Sequence, residues 1–218
     1  MEQTCAVFCA AAFDHLLEPL HAGDLLVAAD GGLRHLQALG LRPDAVLGDF
    51  DSLGYVPEGP AVQRFPVEKD DTDSMLAARL GLARGYHRFL FYGALDGPRL
   101  DHTLANFQTL SYLTGRGGWG YLVGGTYLAT VLARGSLRFG PEAAGIVSVF
   151  CLGADAAGVS LRGLQYPLTD AVLTAAYPLG VSNHFLGCPA EISVGAGRLL
   201  VLWNRSCGLP LRTNSAST

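Results

Sequence analysis

The first 115 residues alternate short apolar runs with stretches whose apolar side chains recur at helical spacing. The apolar runs predict strands at residues 6–10, 25–29, 45–47, 62–65 and 88–92. The periodic stretches predict helices at residues 13–21, 33–39, 74–84 and 102–113. Strands that alternate with helices in this way form a parallel sheet covered by helices. We therefore expect an α/β domain with a mostly parallel sheet.

Beyond residue 124 the pattern changes to short β-rich runs separated by turn residues. These runs predict strands at residues 127–132, 136–139, 146–152, 159–161, 171–176, 191–194 and 199–203. Short strands at roughly 8–12-residue spacing are typical of a β-sandwich or barrel. Gly180-Val181-Ser182-Asn183 interrupts them and is interpreted as a turn. The sequence thus predicts two domains, over residues 1–124 and 125–218.

Composition narrows the class of protein. Half of the 218 residues are hydrophobic and 16% are charged, so a sizeable core is expected and disorder is not. The formal net charge of −4 argues against nucleic-acid binding through a basic face. Neither a signal peptide nor an apolar run of about 18 residues is evident, so we expect no membrane partner. Five cysteines without a CxxC pair favour reduced thiols and a cytoplasmic protein.

Two acidic clusters stand out in the first domain. Asp49 and Asp51 lie two residues apart just after a predicted strand, so both carboxylates can point to one side of an extended chain. Residues 69–73 contain three aspartates beside Lys69, the only lysine, at the start of a predicted helix. Turn formation or helix capping would explain either cluster alone. Together they indicate a site for Mg2+, with the lysine as a contact for phosphate.

Two glycine-containing loops add to this site. Asp30-Gly31-Gly32 follows a strand and opens a helix, where backbone can approach a ligand closely and N–H groups can hold an anion. The loop before the last helix carries Arg99, which can neutralise phosphates, and Asp101, which can bind a metal or polar ligand. GxxxxGK[ST] does not occur, and no GxGxxG opens a predicted helix. Since these segments follow strand ends, one edge of the sheet is expected to collect them.

In this order and spacing, the motifs resemble those of the thiamine pyrophosphokinase family. The matching segments are residues 30–32, 48–52, 69–73, 99–102 leading to Asn106, 163–168 and 182–183. The resemblance implies a Rossmann-like, three-layer α/β catalytic domain that binds ATP and Mg2+, followed by an antiparallel β-sandwich that binds thiamine. It also implies a homodimer with sites at the subunit interface.

The resemblance implies roles for individual residues. Asp49, Asp51 and Asp73 would ligate Mg2+ and, with Asp101, form the catalytic set. The residues that would contact ATP or hold its site are Asp30, Gly31, Lys69, Asp70, Thr72 and Arg99. Ser182 and Asn183 would reach thiamine. The implied reaction transfers pyrophosphate from ATP to the thiamine hydroxyl and gives thiamine diphosphate and AMP.

Two other classes of protein stay open at the level of sequence. One is a different Mg2+-dependent enzyme that acts on nucleotides, either a phosphohydrolase or a DxD glycosyltransferase. The other is a non-catalytic regulator that binds nucleotide without turnover. An assay for AMP and thiamine diphosphate separates both classes from a pyrophosphokinase.

Overall fold

The computed structural model describes residues 2–50, 53–66, 68 and 70–214, with Asn214 described by its backbone alone. The chain divides into two units, Met1–Gly125 and Thr126–Thr218, which we call unit 1 and unit 2. No helix among the described residues is long and apolar enough to cross a bilayer.

Unit 1 combines strands and helices in alternation. Its strands are β1 (Thr4–Phe8), β2 (Leu25–Ala29), β3 (Ala45–Gly48), β4 (Val62–Arg64), β5 (Arg88–Tyr92) and β6 (Trp119–Val123). Its α-helices are α1 (Leu33–Ala38), α2 (Asp73–Ala83) and α3 (Leu100–Thr114). The strands are ordered β6-β5-β1-β2-β3-β4, and each neighbouring pair is parallel. The predicted parallel sheet is therefore confirmed.

The sheet of unit 1 is covered by helices that pack closely against it. All five residues of β1 are buried, as expected for a central parallel strand whose two faces are both covered. Helix α2 contacts β1, β2 and β3, and α3 contacts β6. The buried residues of α2 are small, and a Cβ on Gly81 would lie 2.4 Å from the Phe89 ring. Small side chains on this helix therefore allow its backbone to approach the sheet.

The helix predicted over residues 13–21 is wrong, because this segment is irregular in the structure. Pro19 lies inside the predicted helix, where it lacks an N–H and its ring would collide with the carbonyl of His15. Instead, the Glu18 carboxylate pairs with the Arg88 guanidinium of β5 at 2.5 Å. The apolar spacing predicts a helix here, but Pro19 prevents the helix from forming.

The sequence reasoning also missed a strand. β6 follows Gly117 and Gly118, in a stretch where the sequence predicted no strand, and it pairs in parallel with β5. The Trp119 N–H donates to the carbonyl of His87 at 2.8 Å, so the pairing begins directly after the glycines. The last parallel strand of unit 1 therefore starts directly after these two glycines, while α3 ends at Thr114 with Gly115 as its C-cap.

Unit 2 is formed by antiparallel strands. They are β7 (Tyr127–Leu132), β8 (Gly135–Phe139), β9 (Ile146–Cys151), β10 (Ala156–Arg162), β11 (Leu168–Leu173), β12 (Gly180–His184), β13 (Ala190–Val194), β14 (Leu199–Asn204) and β15 (Leu211–Asn214). The order β12-β9-β14-β7 describes one set of strands and β11-β10-β13-β8-β15 the other. All their pairings are antiparallel, as the sequence predicted.

Aromatic side chains link the two sets of strands in unit 2. The Phe139 ring of β8 lies 5.5 Å, centroid to centroid, from the fully buried Trp203 ring of β14. Phe185 packs against Phe139 at 5.0 Å. The Trp203 indole N–H donates to the Gly208 carbonyl at 2.9 Å, so this buried ring has its polar atom satisfied.

The interpretation of residues 180–183 as a turn is wrong, because they belong to β12. Gly180 pairs with Val149 and Asn183 with Val147, so three residue steps on β12 oppose two on β9. This β-bulge buries Gly180 and Asn183 while it leaves Val181 and Ser182 exposed. Ser182 has a φ of 58°, which suits the irregularity. The bulge interrupts the alternation by which a strand is identified in sequence.

Gly32 provides a test of how tightly unit 1 is packed. A Cβ at this position would lie 1.8 Å from the Phe8 carbonyl oxygen of β1, so Gly32→Ala forces backbone to move. We expect the free energy of unfolding, measured by urea denaturation, to fall by about 3 kcal/mol or more. Gly40→Ala is the matched control, because a Cβ there meets nothing within 4 Å and only the φ of 67° is strained. Equal effects of the two substitutions would contradict this packing.

Candidate functional site

Three carboxylates of unit 1 converge at the ends of its parallel strands. Oxygen atoms of Asp30, Asp49 and Asp73 all lie within 4.8 Å of one another. Asp30 is buried, with 8% of its surface exposed, and the other two are half-buried. Carboxylates this close repel one another unless a positive group lies among them. The geometry is therefore that of a candidate cation site.

Backbone geometry at the ends of β2 and β3 brings the first two carboxylates together. Asp30 directly follows β2 with a φ of 48°, and Phe50 follows Asp49 with a φ of 66°. A Cβ on Gly48, the last residue of β3, would lie 3.1 Å from the Asp30 Cα, so glycine permits this close approach. Positive φ values are unfavourable for residues with side chains and often occur at functional sites.

Helix α2 positions the third carboxylate. Thr72 is its N-cap and accepts a hydrogen bond from the Met75 N–H at 3.3 Å. Asp73 is the first residue of the helix, where the positive end of the helix dipole favours a carboxylate. The capped helix start thus holds Asp73 toward the strand ends.

A buried asparagine connects two of the loops around this site. The Ser74 hydroxyl donates to Asn106 Oδ1 at 2.6 Å, and Asn106 Nδ2 donates to the Ala94 carbonyl at 2.7 Å. The Thr72 and Ser74 hydroxyls lie 3.0 Å apart. Asn106 on α3 therefore joins the start of α2 to the loop that follows β5. Asn106 belongs to one of the motifs found in the sequence, but the sequence did not predict which groups its side chain would contact.

Arg99 and Asp101 form a pair at the start of α3. The Arg99 guanidinium donates to both carboxylate oxygens of Asp101, at 3.0 and 2.6 Å, and both side chains are exposed. These hydrogen bonds lower the pKa of Asp101 to about 2. The pairing fixes the direction of the Arg99 guanidinium, which the sequence analysis predicted to neutralise phosphates. Asp101 does not belong to the group of converging carboxylates.

A cysteine near Asp73 is unsuited to thiolate chemistry. Burial and, to a smaller extent, the negative charge of Asp73 raise the pKa of the Cys9 thiol to about 12. Cys9 therefore stays a neutral thiol at physiological pH. Its backbone N–H donates to the Tyr92 carbonyl at 2.8 Å, so its role at this position is structural.

The remaining site predictions for unit 1 fall into two groups. Gly31 is buried in the turn after β2, and Asp70 is exposed before α2. Asp51 and Lys69 lie outside the described residues, so their assignments stay predictions. Asp30 had been assigned to the ATP site and not to the metal ligands. Its position after β2, the strand beside β3, was the signal that could have placed it with Asp49.

The two residues assigned to thiamine differ in exposure. Ser182 is exposed on the bulge of β12. Asn183 is 2% exposed, and its Oδ1 accepts hydrogen bonds from the Tyr166 and His184 backbone N–H groups, each at 2.9 Å. The sequence did not anticipate that this carboxamide would bind backbone inside unit 2.

A cavity of about 270 Å³ lies elsewhere in unit 1, lined by residues that include Thr4, Glu18, Arg88 and Tyr92. None of the described site residues lines it. Arg88, which lines the cavity, pairs with Glu18 and also donates to the Thr4 hydroxyl. The charge that would attract a phosphate is thus already neutralised, and the cavity is a poor candidate for the site predicted from sequence.

The carboxylate group and its surroundings define a class of protein. Three carboxylates offer only oxygen ligands, which hard cations such as Mg2+ prefer. In open α/β sheets, ligands bind beyond the carboxyl ends of the strands, where this group lies. Unit 1 therefore has the features of a nucleotide- or phosphate-processing unit that uses a divalent cation.

Comparison with known proteins specifies the family. Residues 16–117 match the family model described as thiamin pyrophosphokinase, catalytic domain, and residues 138–199 match thiamin pyrophosphokinase, vitamin B1 binding domain. The chain belongs to the thiamine pyrophosphokinase family.

Relatives of known sequence and structure agree with this assignment. Thiamine pyrophosphokinase from Bacillus subtilis (strain 168) is 25% identical over 193 residues, which are 82% of this chain and 86% of that protein. The crystal structure of thiamine pyrophosphokinase from Bacillus subtilis has a TM-score of 0.78 at 23% identity, and covers 93% of this chain and 99% of that one. A thiamin pyrophosphokinase family protein from Enterococcus faecalis has a TM-score of 0.74 at 26% identity, with the same coverage.

Asn106→Leu tests the connection between the loops. The substitution keeps the approximate volume but leaves the Ser74 hydroxyl and the Ala94 carbonyl without this partner. We expect the free energy of unfolding to fall by about 2 to 4 kcal/mol, measured by urea denaturation. Adding Ser74→Ala removes the hydroxyl that has lost its acceptor on Asn106 and is expected to restore about 1 kcal/mol. A change below about 0.5 kcal/mol for Asn106→Leu would show that these hydrogen bonds do not contribute.

Arg99→Gln tests the electrostatic pairing at the start of α3. Without the guanidinium the charged carboxylate loses its main stabilising partner, so the pKa of Asp101 is expected to rise from about 2 toward 3.8. Carboxyl carbon chemical shifts followed by NMR during an acid titration measure this value. Arg116→Gln, an exposed site just beyond the same helix, is expected to leave it unchanged. An unchanged pKa in Arg99→Gln would refute the pairing in solution.

Proposed function

We propose that this protein transfers a pyrophosphoryl group from ATP to the hydroxyl group of thiamine, giving thiamine diphosphate and AMP. The observation that carries the proposal is the convergence of Asp30, Asp49 and Asp73 within the unit that matches the family's catalytic domain. The match of unit 2 to a vitamin B1 binding domain supports thiamine as the acceptor. Both substrates therefore have a candidate unit on one chain.

The converging carboxylates form the proposed Mg2+ site. Asp30, Asp49 and Asp73 would hold the ion, and Asp51 is a further proposed ligand on the strength of its position in the motif. When bound, Mg2+ would supply positive charge to the phosphates of ATP. The buried position of Asp30 strengthens its attraction for a cation, because water screens the charge less there.

The other side chains of unit 1 bind and orient ATP in this proposal. Arg99, held in direction by Asp101, would neutralise charge on the transferring phosphates. Contacts to ATP are further proposed for Gly31, Lys69, Asp70 and Thr72. The thiamine hydroxyl oxygen would attack the β-phosphorus, AMP would leave with the electrons of the broken P–O bond, and the hydroxyl proton would be released to solvent. As in other phosphoryl transfers, positioning and electrostatic stabilisation would supply most of the rate enhancement.

Ser182 is the proposed polar contact to thiamine in unit 2. Its exposed position on the bulge of β12 suits contact with a ligand. The thiazolium ring of thiamine is permanently cationic, so the acidic character of the chain favours its approach.

The finer architecture and assembly also belong to the proposal. We propose a Rossmann-like three-layer arrangement for unit 1, supported by helices on its parallel sheet, and a β-sandwich for unit 2, supported by the Phe139–Trp203 contact. A homodimer with shared sites is supported by exposed apolar residues such as Val172 and Leu179, which suit a protein contact. Five free cysteines support a reducing, cytoplasmic setting.

One assay tests the proposed reaction. Incubation with ATP, Mg2+ and thiamine is expected to give AMP and thiamine diphosphate in equal amounts, measured by chromatography. A phosphohydrolase would release inorganic phosphate, a glycosyltransferase would form a glycoside, and a regulator would bind ATP without turnover. The family membership does not favour these alternatives. Absence of both products would refute the proposal.

Asp49→Asn tests the carboxylate group. We expect kcat to fall at least about 100-fold, because a neutral amide holds a divalent cation poorly. Thermal unfolding followed by circular dichroism verifies that the variant is folded. Asp71→Asn is the matched control, because Asp71 pairs with Arg79 at the surface and is expected to retain near wild-type activity. Wild-type activity of Asp49→Asn would refute its assignment.

A further inference from the structure

The loop that leads from β5 to α3 is anchored at successive residues before it reaches Arg99. The carbonyls of three consecutive loop residues accept hydrogen bonds from the loop after β1 and from α3. They are Gly93, Ala94 and Leu95, and the donors are the Ala11 N–H at 3.1 Å, Asn106 Nδ2 at 2.7 Å and the Thr103 hydroxyl at 3.2 Å. The first half of the loop is therefore held on two sides.

Asp96 continues this series of anchors with its side chain. Its Oδ2 accepts a hydrogen bond from the N–H of Gly125, the second residue after β6 and the last residue of unit 1. A Cβ on Gly124 would lie 2.5 Å from Asp96 Oδ2 and 3.0 Å from Asp96 Cγ, so the glycine leaves room for the carboxylate. A charged acceptor makes this hydrogen bond stronger than one between neutral groups. Asp96 thus fastens the loop to the end of the neighbouring strand.

Asp96 is the last of these anchors before Arg99 begins α3. Only Gly97 and Pro98 lie between the two residues. Pro98 fixes its own φ, and a Cβ on Gly97 would lie 3.2 Å from the Ala11 Cβ. Because this connection is short and restricted, the position of Asp96 determines where the chain enters α3. The backbone that carries the Arg99 guanidinium therefore depends on the Asp96 carboxylate.

We propose that Asp96 is a positioning residue for Arg99. Its hydrogen bond to Gly125 holds the loop so that the Arg99 guanidinium lies where the phosphates of ATP would bind. The inference rests on the proposed function, which gives Arg99 the task of neutralising those phosphates, and it assigns Asp96 no contact with either substrate. A displacement of about 1 Å in a positioned group can cost about 100-fold in rate, so an exposed hydrogen bond in this loop affects turnover.

Asp14 supplies a matched control for the charge of Asp96. A Cβ on Gly125 would lie 3.5 Å from Asp96 Oδ2 and 3.8 Å from Asp14 Oδ2, so both carboxylates face the same glycine. Both acidic residues are exposed. The Gly125 N–H donates to Asp96. The two residues thus share charge, exposure and surroundings, and they differ in this hydrogen bond.

The first experiment detects the hydrogen bond by NMR, without an activity assay. The amide proton resonance of Gly125 is expected to move upfield in Asp96→Ala, because the N–H loses its charged acceptor. Gly124→Ala is expected to have the same effect, since its methyl group would occupy the space beside the Asp96 carboxylate. Asp14→Asn is expected to leave this resonance in place. An unmoved Gly125 resonance in Asp96→Ala would overturn the inference.

The second experiment measures steady-state kinetics. Asp96→Ala is expected to lower kcat about tenfold, with KM for thiamine within about twofold of wild type, because Arg99 acts on the phosphates. Asp96→Asn keeps an oxygen acceptor and is expected to stay within about threefold of wild type. Asp14→Asn is expected to match wild type. A wild-type kcat in Asp96→Ala, or an equal loss in Asp14→Asn, would overturn the positioning role.

The third experiment tests whether Asp96 acts through Arg99. In an Arg99→Gln background, Asp96→Ala is expected to lower kcat by less than about twofold, because the guanidinium that it positions is absent. In an Asp96→Ala background, Gly124→Ala is likewise expected to add less than about twofold, since no carboxylate is left to displace. Independent, multiplicative effects of Asp96→Ala and Arg99→Gln would overturn the positioning role. Circular dichroism and thermal unfolding verify that each variant is folded.

Failure of this inference is distinguishable from failure of the proposed function. If the wild-type protein forms no thiamine diphosphate, the proposed function fails and the positioning role fails with it, while the Gly125 resonance still reports on the hydrogen bond. If the wild-type protein is active and Asp96→Ala retains its kcat, only the positioning role fails.

Discussion

Mutual repulsion among carboxylates is the constraint on which the organisation of unit 1 depends. Parallel strands bring their carboxyl ends to one edge, and Asp30, Asp49 and Asp73 meet there. The fold offsets this repulsion with close backbone contacts elsewhere, including the glycine at the end of β3 and the buried hydrogen bonds of Asn106. Carboxylates held this close together are suited to binding a divalent cation. A bound cation would offset their mutual repulsion and so stabilise the folded protein.

Polar side chains buried near both candidate sites organise the backbone. Asn106 joins the start of α2 to the loop after β5, while Asn183 holds the segment that carries Tyr166. In each case one carboxamide satisfies groups from a separate part of the chain, and each is buried. Their exchange for apolar residues would leave donors and acceptors unsatisfied. Ser182, for which we propose a contact to thiamine, thus directly precedes a buried asparagine that organises the backbone.

Much of the architecture follows from sequence, for identifiable reasons. The parallel sheet of unit 1 and the antiparallel strands of unit 2 were predictable because apolar periodicity reports burial directly. The irregular segment around Pro19 was not predictable in this way. Its apolar residues recur at helical spacing, but proline lacks the N–H that a helix interior requires. For the site, the strand ends indicated which acids would meet at one edge. Asp30 joins the carboxylate group because β2 lies beside β3, and spacing along the chain does not reveal this strand order. Asn183 points inward because of the bulge in β12, which spacing does not reveal either.

The bulge in β12 has a consequence for comparing this chain with its relatives. It supplies the extra residue that turns Asn183 inward, where regular alternation with Val181 would place both on one face. A relative that kept the same spacing from Gly180 to the asparagine but paired regularly, without the bulge, would present its asparagine to solvent even if the Ser-Asn letters were retained. The direction of this side chain in a relative therefore depends on the strand pairing and on the residue count together, and the Ser-Asn letters alone do not determine it.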